Sequence, residues 1–117
     1  DLWNAGGGEK WGRFDNMEVL TAFADYRLPQ ILRAWDVLRY APDLADRVDS
    51  EVALEPGSRE ELEIRAASIW AVEWLREAMA SRGRRLWSIQ VDWILWAASH
   101  GDDMRLKPHH RTRTIWY

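Results

Sequence analysis

The stretch "SREELEIRAASIWAVEWLREAMASRG", Ser58 to Gly83, constrains the fold more than any other part of the chain. Ser58 stands where an N-cap belongs, and Glu61, three residues on, has capping-box spacing. Acids crowd the first turn, arginines gather at the far end, and Gly83 occupies a C-cap position. The spacing predicts one long helix. The next segment, "RLWSIQVDWILWAASHG", carries apolar residues at 86, 89, 93 and 96, a helical stripe closed by Gly101.

Upstream, "DNMEVLTAF" predicts a helix with Asp15 as N-cap and Glu18 at capping-box spacing, stopping near Asp25. Leu28 precedes Pro29 and is steered away from the helical region, and Pro29 suits the first turn of a new helix over "PQILRAWDVLRY". "APDLADRVDS" reads as another short helix and "EVALEPGS" as a linker. "NAGGGEKWGRF" is an irregular, glycine-rich loop. The tail "KPHHRTRTIWY" alternates in an extended fashion, but one strand makes no sheet. The class expected is therefore all-α, a multi-helix domain with an extended C-terminal tail.

At 117 residues the chain is one domain's worth, and 47% hydrophobic with 30% charged residues places it among globular proteins. "DLWNA" reads as the end of a helix begun earlier, so residues 1–117 are expected to be the C-terminal part of a longer single domain. A net charge of −3 argues against a dedicated nucleic-acid binder. There is no cysteine, hence no disulfide framework and no thiolate metal site. No run reaches the length of a membrane span and no signal peptide is visible, so the expected location is cytoplasmic. Nine tryptophans read first as a core rich in large rings, and second as aromatic walls around a flat ligand.

Two carboxylates sit in unusually apolar company. Asp25 lies in "TAFADYRLPQIL"; a structural Asp there would bond helix-end backbone or Arg27. Phe23 and Asp25 point roughly 200° apart on a helix but share a side in an extended segment. Asp92 lies in "IQVDWILW", where Asp is a poor mid-helix residue. A buried Asp92 wants an arginine from another helix or a ligand with two adjacent N–H groups, such as the edge of a guanine-like base. Trp93, about 100° around the helix, is then placed to stack on that ligand. Glu73 with Arg76 reads as an ion-paired stripe. His109 and His110 lack partners at ligand spacing, as does His100, so no metal site is expected. "RLKPHHRTR" is a basic cluster able to meet a phosphate, though a surface tail is its simpler role.

Taken together, "FADYRLPQ", "GSREELEIRAASIWAVE", "VDWILW" and "PHHRTRTIWY" resemble the queuosine salvage family of queuosine 5′-phosphate N-glycosylases, over nearly the whole chain and in order. The resemblance implies an all-helical fold related to DNA glycosylases and a reaction without metal or organic cofactor. It implies hydrolysis of queuosine 5′-monophosphate to release queuine for tRNA modification. By the same resemblance Asp25 is the catalytic carboxylate, Phe23 contacts the base, and Asp92 and Trp93 bind queuine. Relatives often carry Tyr where Trp93 stands, and a further Asp where this chain has Ala97. The family's Lys and His come from sequence upstream of "DLW", so the missing N-terminal part is the expected partner. Arg27, His109 and Arg111 are phosphate candidates by charge alone. Two rival readings are a helical module that binds a purine-like base without cleaving it, and a DNA-repair glycosylase, which the acidic net charge opposes.

Overall fold

The computed structural model describes residues 14–101 and 105–117. The expected glycine-rich loop at Gly6–Gly12, and the helix end expected at "DLWNA", lie outside these residues. Four α-helices make up the described chain: α1 (Arg27–Ala34), α2 (Pro42–Asp49), α3 (Arg59–Ser81) and α4 (Ser88–Ala98). Among the described residues a 3-10 turn, Met17–Val19, precedes them. Among the described residues there is no strand, only an isolated bridge between Ala53 and Arg111. The fold is all-α.

Helices α1, α3 and α4 pack on one another, and the 3-10 turn rests against α4. Their shared core gathers Leu28, Ile31 and Leu32 of α1, Ala71 and Val72 of α3, and Val91 and Leu95 of α4, with Ala22 from the preceding segment. Ile31, Leu32 and Val72 have no exposed surface, so truncating any of them to Ala should cost about 2–5 kcal/mol or somewhat less for Val. Helix α2 is tied on by charge. Arg33 of α1 makes a bidentate pair with Asp49, at 2.6 and 2.9 Å, and Arg47 reaches Glu60 of α3 at 3.1 Å. The tail is fixed from two sides: the Gln30 side-chain amide donates to the Lys107 carbonyl at 2.6 Å, and the Leu54 N–H donates to the Arg111 carbonyl at 2.7 Å.

Several boundaries differ from the sequence reading. The helix expected over 15–25 shrinks to the 3-10 turn, and residues 20–25 are non-helical. Helix α1 begins at Arg27 rather than Pro29 and includes Leu28. Pro29 then falls in the first turn, where a missing N–H removes no intrahelical bond. The same helix ends at Ala34 rather than Tyr40, because Asp36 adopts φ +59°. Asp36 N–H bonds the Arg33 carbonyl and Val37 N–H the Leu32 carbonyl, a Schellman ending. Helices α2 and α3 stop the same way, with Glu51 and Gly83 in the left-handed position.

Helix α3 matches its expected span. Ser58 Oγ accepts the Glu61 N–H at 3.3 Å, but Glu61 reaches back to the Gly57 N–H rather than to Ser58, so the capping box is only half formed. On α4 the buried face is Ser88, Val91, Asp92 and Leu95, not the stripe at 86, 89, 93 and 96. The expected aromatic core is also absent among the described residues: Trp35, Trp70, Trp74, Trp87, Trp96 and Trp116 are exposed, and Trp93 is half-buried. Aliphatic residues fill the space those rings were expected to fill.

Candidate functional site

The segment between the 3-10 turn and α1 forms a strap across the helices. Burial alternates along it: Ala22 and Ala24 are buried, while Phe23 between them is 61% exposed. The strap is not regularly extended, however: the Asp25 N–H donates to the Phe23 carbonyl at 2.8 Å, a three-residue turn centred on Ala24, so the shared side expected of Phe23 and Asp25 in an extended segment does not follow from the alternation. The small side chains let the backbone lie close to the core. Both edges of the strap are held. Phe23 N–H donates to Asp92 Oδ2 of α4 at 2.7 Å, and Arg65 Nε of α3 donates to the Ala24 carbonyl at 3.2 Å.

Asp25 ends the strap and starts the helix. Its Oδ1 accepts the N–H groups of Arg27 at 2.9 Å and Leu28 at 2.8 Å. With Pro29 carrying no N–H, this one oxygen satisfies the open donors of the first turn. The backbone-bonded Asp weighed from sequence is therefore present. Arg27 is not its partner through the side chain, since the guanidinium turns to Gln30 Oε1 at 3.2 Å. Oδ2 of Asp25 makes no hydrogen bond among the described residues, so the capping role leaves half the carboxylate for other work.

Asp92 is buried in mid-helix, and its partner is the Phe23 backbone rather than the arginine weighed from sequence. Burial pushes its carboxyl above the usual aspartate range; the Phe23 N–H pulls the other way and the nearby Asp25 charge adds to the rise. Trp93 follows Asp92 on α4 and is half-buried, and Ala97, one turn on from Trp93, is exposed. The fold brings Phe23, Asp25 and Asp92 together, although 69 residues separate Phe23 from Asp92 in sequence.

The three phosphate candidates separate. His109 stacks on Tyr26, ring centroids 4.5 Å apart, and Arg111 pairs with Glu51 at 2.8 Å. Both line a groove of about 460 Å³ beside Tyr26 and Tyr117, of which Arg27 is not a wall. Behind this groove lies a network with no counterpart in the sequence reading. Tyr117 Oη donates to Glu61 Oε1 at 2.7 Å, His110 Nε2 meets the same hydroxyl at 3.1 Å, and Arg65 sits over the Tyr117 ring at 4.9 Å. Arg65 also reaches Glu61, at 3.4 Å. Sequence pointed to Glu61 only as a capping residue. Its spacing to Arg65, four residues, is the one local signal that these two act together.

Glu73 makes the ion pair expected with Arg76, at 3.0 Å, and also accepts a short hydrogen bond from Ser88 Oγ. That bond pins the first turn of α4 to α3, one turn before Asp92. Among the described residues no cluster of three or more His, Asp or Glu is disposed to hold a metal ion, and no helix is long and apolar enough to cross a membrane.

The family model described as "Queuosine salvage protein" matches residues 1–117. The chain is 51% identical over its full length to a protein of Sphaerobacter thermophilus named queuosine 5′-phosphate N-glycosylase/hydrolase. It is 42% identical to a protein of that name from Dictyostelium discoideum and 37% to one from Mus musculus, again with the whole chain covered. These alignments take in 36%, 36% and 37% of the three relatives, so the chain spans little more than a third of their length.

Proposed function

Because the chain belongs to the queuosine salvage protein family, we propose that it carries the carboxylate-bearing part of a nucleotide N-glycosidase. The reaction is hydrolysis of the N-glycosidic bond of queuosine 5′-monophosphate, freeing queuine for reuse in tRNA modification in the cytoplasm. The observation that carries this reading is the hydrogen bond from Phe23 N–H to Asp92 Oδ2, which makes the strap and α4 one site.

Cleaving an N-glycosidic bond develops positive charge at the anomeric carbon. Asp25 is the group that meets this charge, as electrostatic partner, nucleophile or activator of water. Its anchored Oδ1 fixes the carboxylate, and Oδ2 faces no competing donor among the described residues. Asp92 takes the base edge, with Phe23 and Trp93 as its aromatic neighbours, so the leaving group is fixed relative to Asp25. Asp92 Oδ2 already holds one N–H; the base meets chiefly Oδ1. His109 and Arg111 remain phosphate contacts in this reading, and Arg27 recedes because it is turned to Gln30. No cofactor enters the scheme.

The rest of a chain of the relatives' length completes the site and covers the exposed apolar face. Trp70 and Trp74, 60% and 64% exposed, line an apolar hollow of about 350 Å³ with Val37 and Leu38. Apolar surface of this kind marks an interaction site. The test mixes queuosine 5′-monophosphate with the 117-residue chain and, separately, with a protein of the relatives' full length that includes it. Free queuine is then sought by mass spectrometry. Release by the longer protein, lost by orders of magnitude in Asp25→Asn, is the expected result. Near-parent release by Asp25→Asn would falsify the assignment.

A second reading has one observation in its favour: Asp25 already has a structural task as helix cap. In that reading Phe23, Trp93 and Asp92 hold a purine-like base without cleaving it. Recovery of bound, intact nucleotide from the longer protein would select it.

A further inference from the structure

The peptide group that joins Ala24 to Asp25 is held at both of its ends. Its N–H, that of Asp25, donates to the Phe23 carbonyl at 2.8 Å. Its carbonyl, that of Ala24, accepts Arg65 Nε of α3 at 3.2 Å. A peptide group is planar, so gripping both ends fixes the plane. That plane sets the direction in which the Asp25 side chain leaves the backbone. Asp25 Oδ1 is already tied to the first turn of α1, and the plane supplies the second reference that aims Oδ2.

Arg65 is itself held from the other side. A second of its N–H groups, on Nη1, reaches Glu61 Oε1 at 3.4 Å, and the guanidinium lies over the Tyr117 ring, 4.9 Å from its centroid. Tyr117 Oη donates to the same Glu61 oxygen at 2.7 Å. The other Glu61 oxygen accepts the Gly57 N–H at 3.2 Å, so this carboxylate is anchored too. Glu61 is buried, whereas Arg65 is 34% exposed. A partly exposed ion pair contributes little to stability by itself. This arginine also gives a donor to a buried residue's carbonyl, with Ala24 only 7% exposed. A guanidinium offers donors on two edges and a flat face for the ring, which an ammonium does not.

We infer that Arg65 is a positioning residue for Asp25, and that Tyr117, through Glu61 and its own ring, holds Arg65 to that task. The bearing on turnover rests on the glycosidase reading. Removing Arg65 leaves the Ala24 carbonyl without its donor, and the peptide group is then free to turn toward another. Misplacing a reacting group by about 1 Å costs on the order of a hundredfold in rate. The contacts that bind the nucleotide through other residues stay in place, so the loss falls on kcat rather than on KM.

The test uses a protein of the relatives' full length that includes this chain, with queuosine 5′-monophosphate as substrate and rates taken per folded molecule. Arg65→Met should lower kcat at least tenfold with KM within twofold of the parent. Tyr117→Leu should do the same to a smaller extent. The double variant should be no slower than Arg65→Met, since Tyr117 acts through Arg65. Arg33→Met, which breaks the pair with Asp49 and loosens α2 instead, controls for lost stability and should keep the parent kcat. Hydrogen exchange at the Asp25 amide should quicken at least tenfold in Arg65→Met and in Tyr117→Leu, but not in Arg33→Met. In an active parent, unchanged kcat in Arg65→Met, a loss seen in KM alone, or an equal loss in Arg33→Met would overturn the positioning role. Losses that multiply in the double variant would overturn the part given to Tyr117. Unchanged exchange in Arg65→Met would overturn the hold on Asp25 even in an inactive parent. A parent that releases no queuine while exchange responds as stated would refute the glycosidase reading and leave that hold standing.

Discussion

Phe23 N–H donates to Asp92 Oδ2 at 2.7 Å, and this bond joins the end of one loop to the middle of a helix 69 residues away. It places an exposed ring, a capping carboxylate and a buried carboxylate in one neighbourhood. Arg65 holds the next carbonyl along, Ala24, from the opposite helix. A strap gripped at two consecutive residues keeps Asp25 where the first turn of α1 needs it.

Asp92→Asn tests what the buried charge costs. Asn keeps an oxygen for the Phe23 N–H but removes the carboxylate that burial and Asp25 disfavour. With a folded value above the ordinary 3.8, Asp92's contribution is fully present below that pH and is lost as pH rises through the folded value. At pH 7 the Asn variant should therefore be as stable as the parent or more so. The advantage should vanish below about pH 3.8. Asp92→Leu leaves the Phe23 N–H unpaired and should lose about 1–3 kcal/mol. Urea titrations across pH read all three; an Asn variant much weaker than the parent at pH 7 would contradict the account.

Asp25→Ala and Asp25→Asn separate the cap from the chemistry. Ala removes the acceptor of two backbone N–H groups and should cost about 0.5–2 kcal/mol, with faster amide exchange at Arg27 and Leu28. Asn retains a carbonyl oxygen and should stay within a few tenths of a kcal/mol of the parent. Equal stability of the Ala variant and the parent would show that the capping bonds carry no weight.

The sequence made α3 legible because each of its ends carries a chemical marker: Ser58 as cap and Gly83 in the left-handed position. Helix α1 was misread at both ends for the same kind of reason. Its cap, Asp25, reaches over Tyr26 rather than standing next to the first helical residue, and its stop is an Asp, not a Gly. Asp25 and Asp92 stood out because carboxylates are costly in apolar company. Their meeting through a backbone N–H was invisible, since every residue type but proline supplies one. The network of Glu61, Tyr117 and His110 was hidden because it joins three distant segments and none of its members breaks a local pattern.

Asp36→Gly should raise the midpoint of thermal unfolding by a few degrees. Asp36 ends α1 at φ +59°, a conformation that costs an L side chain and that glycine adopts freely. The change also removes the pair with Arg39, but both side chains are exposed and such pairs contribute little. Calorimetry decides it, and a lower midpoint would mean that the Asp36–Arg39 pair outweighs backbone strain.

His110 makes the fold sensitive to mild acid. Burial is the main reason its ring is held down to about 4; the neighbouring His109 adds to this, Arg65 does so slightly, and Glu61 opposes it. A folded value below the ordinary 6.5 means that the neutral ring's contribution is present above pH 6.5 and is lost as pH falls toward 4. Protonation would give Nδ1 a proton with no acceptor in a buried wall. Over that window the parent should lose up to about 3 kcal/mol more than His110→Gln, a ceiling set by roughly 1.4 kcal/mol for each pH unit of displacement. The comparison is made as a difference so that every titrating group the two proteins share cancels. Parallel stability curves for parent and variant between pH 6.5 and 4 would mean that the imidazole is wetter than its burial implies.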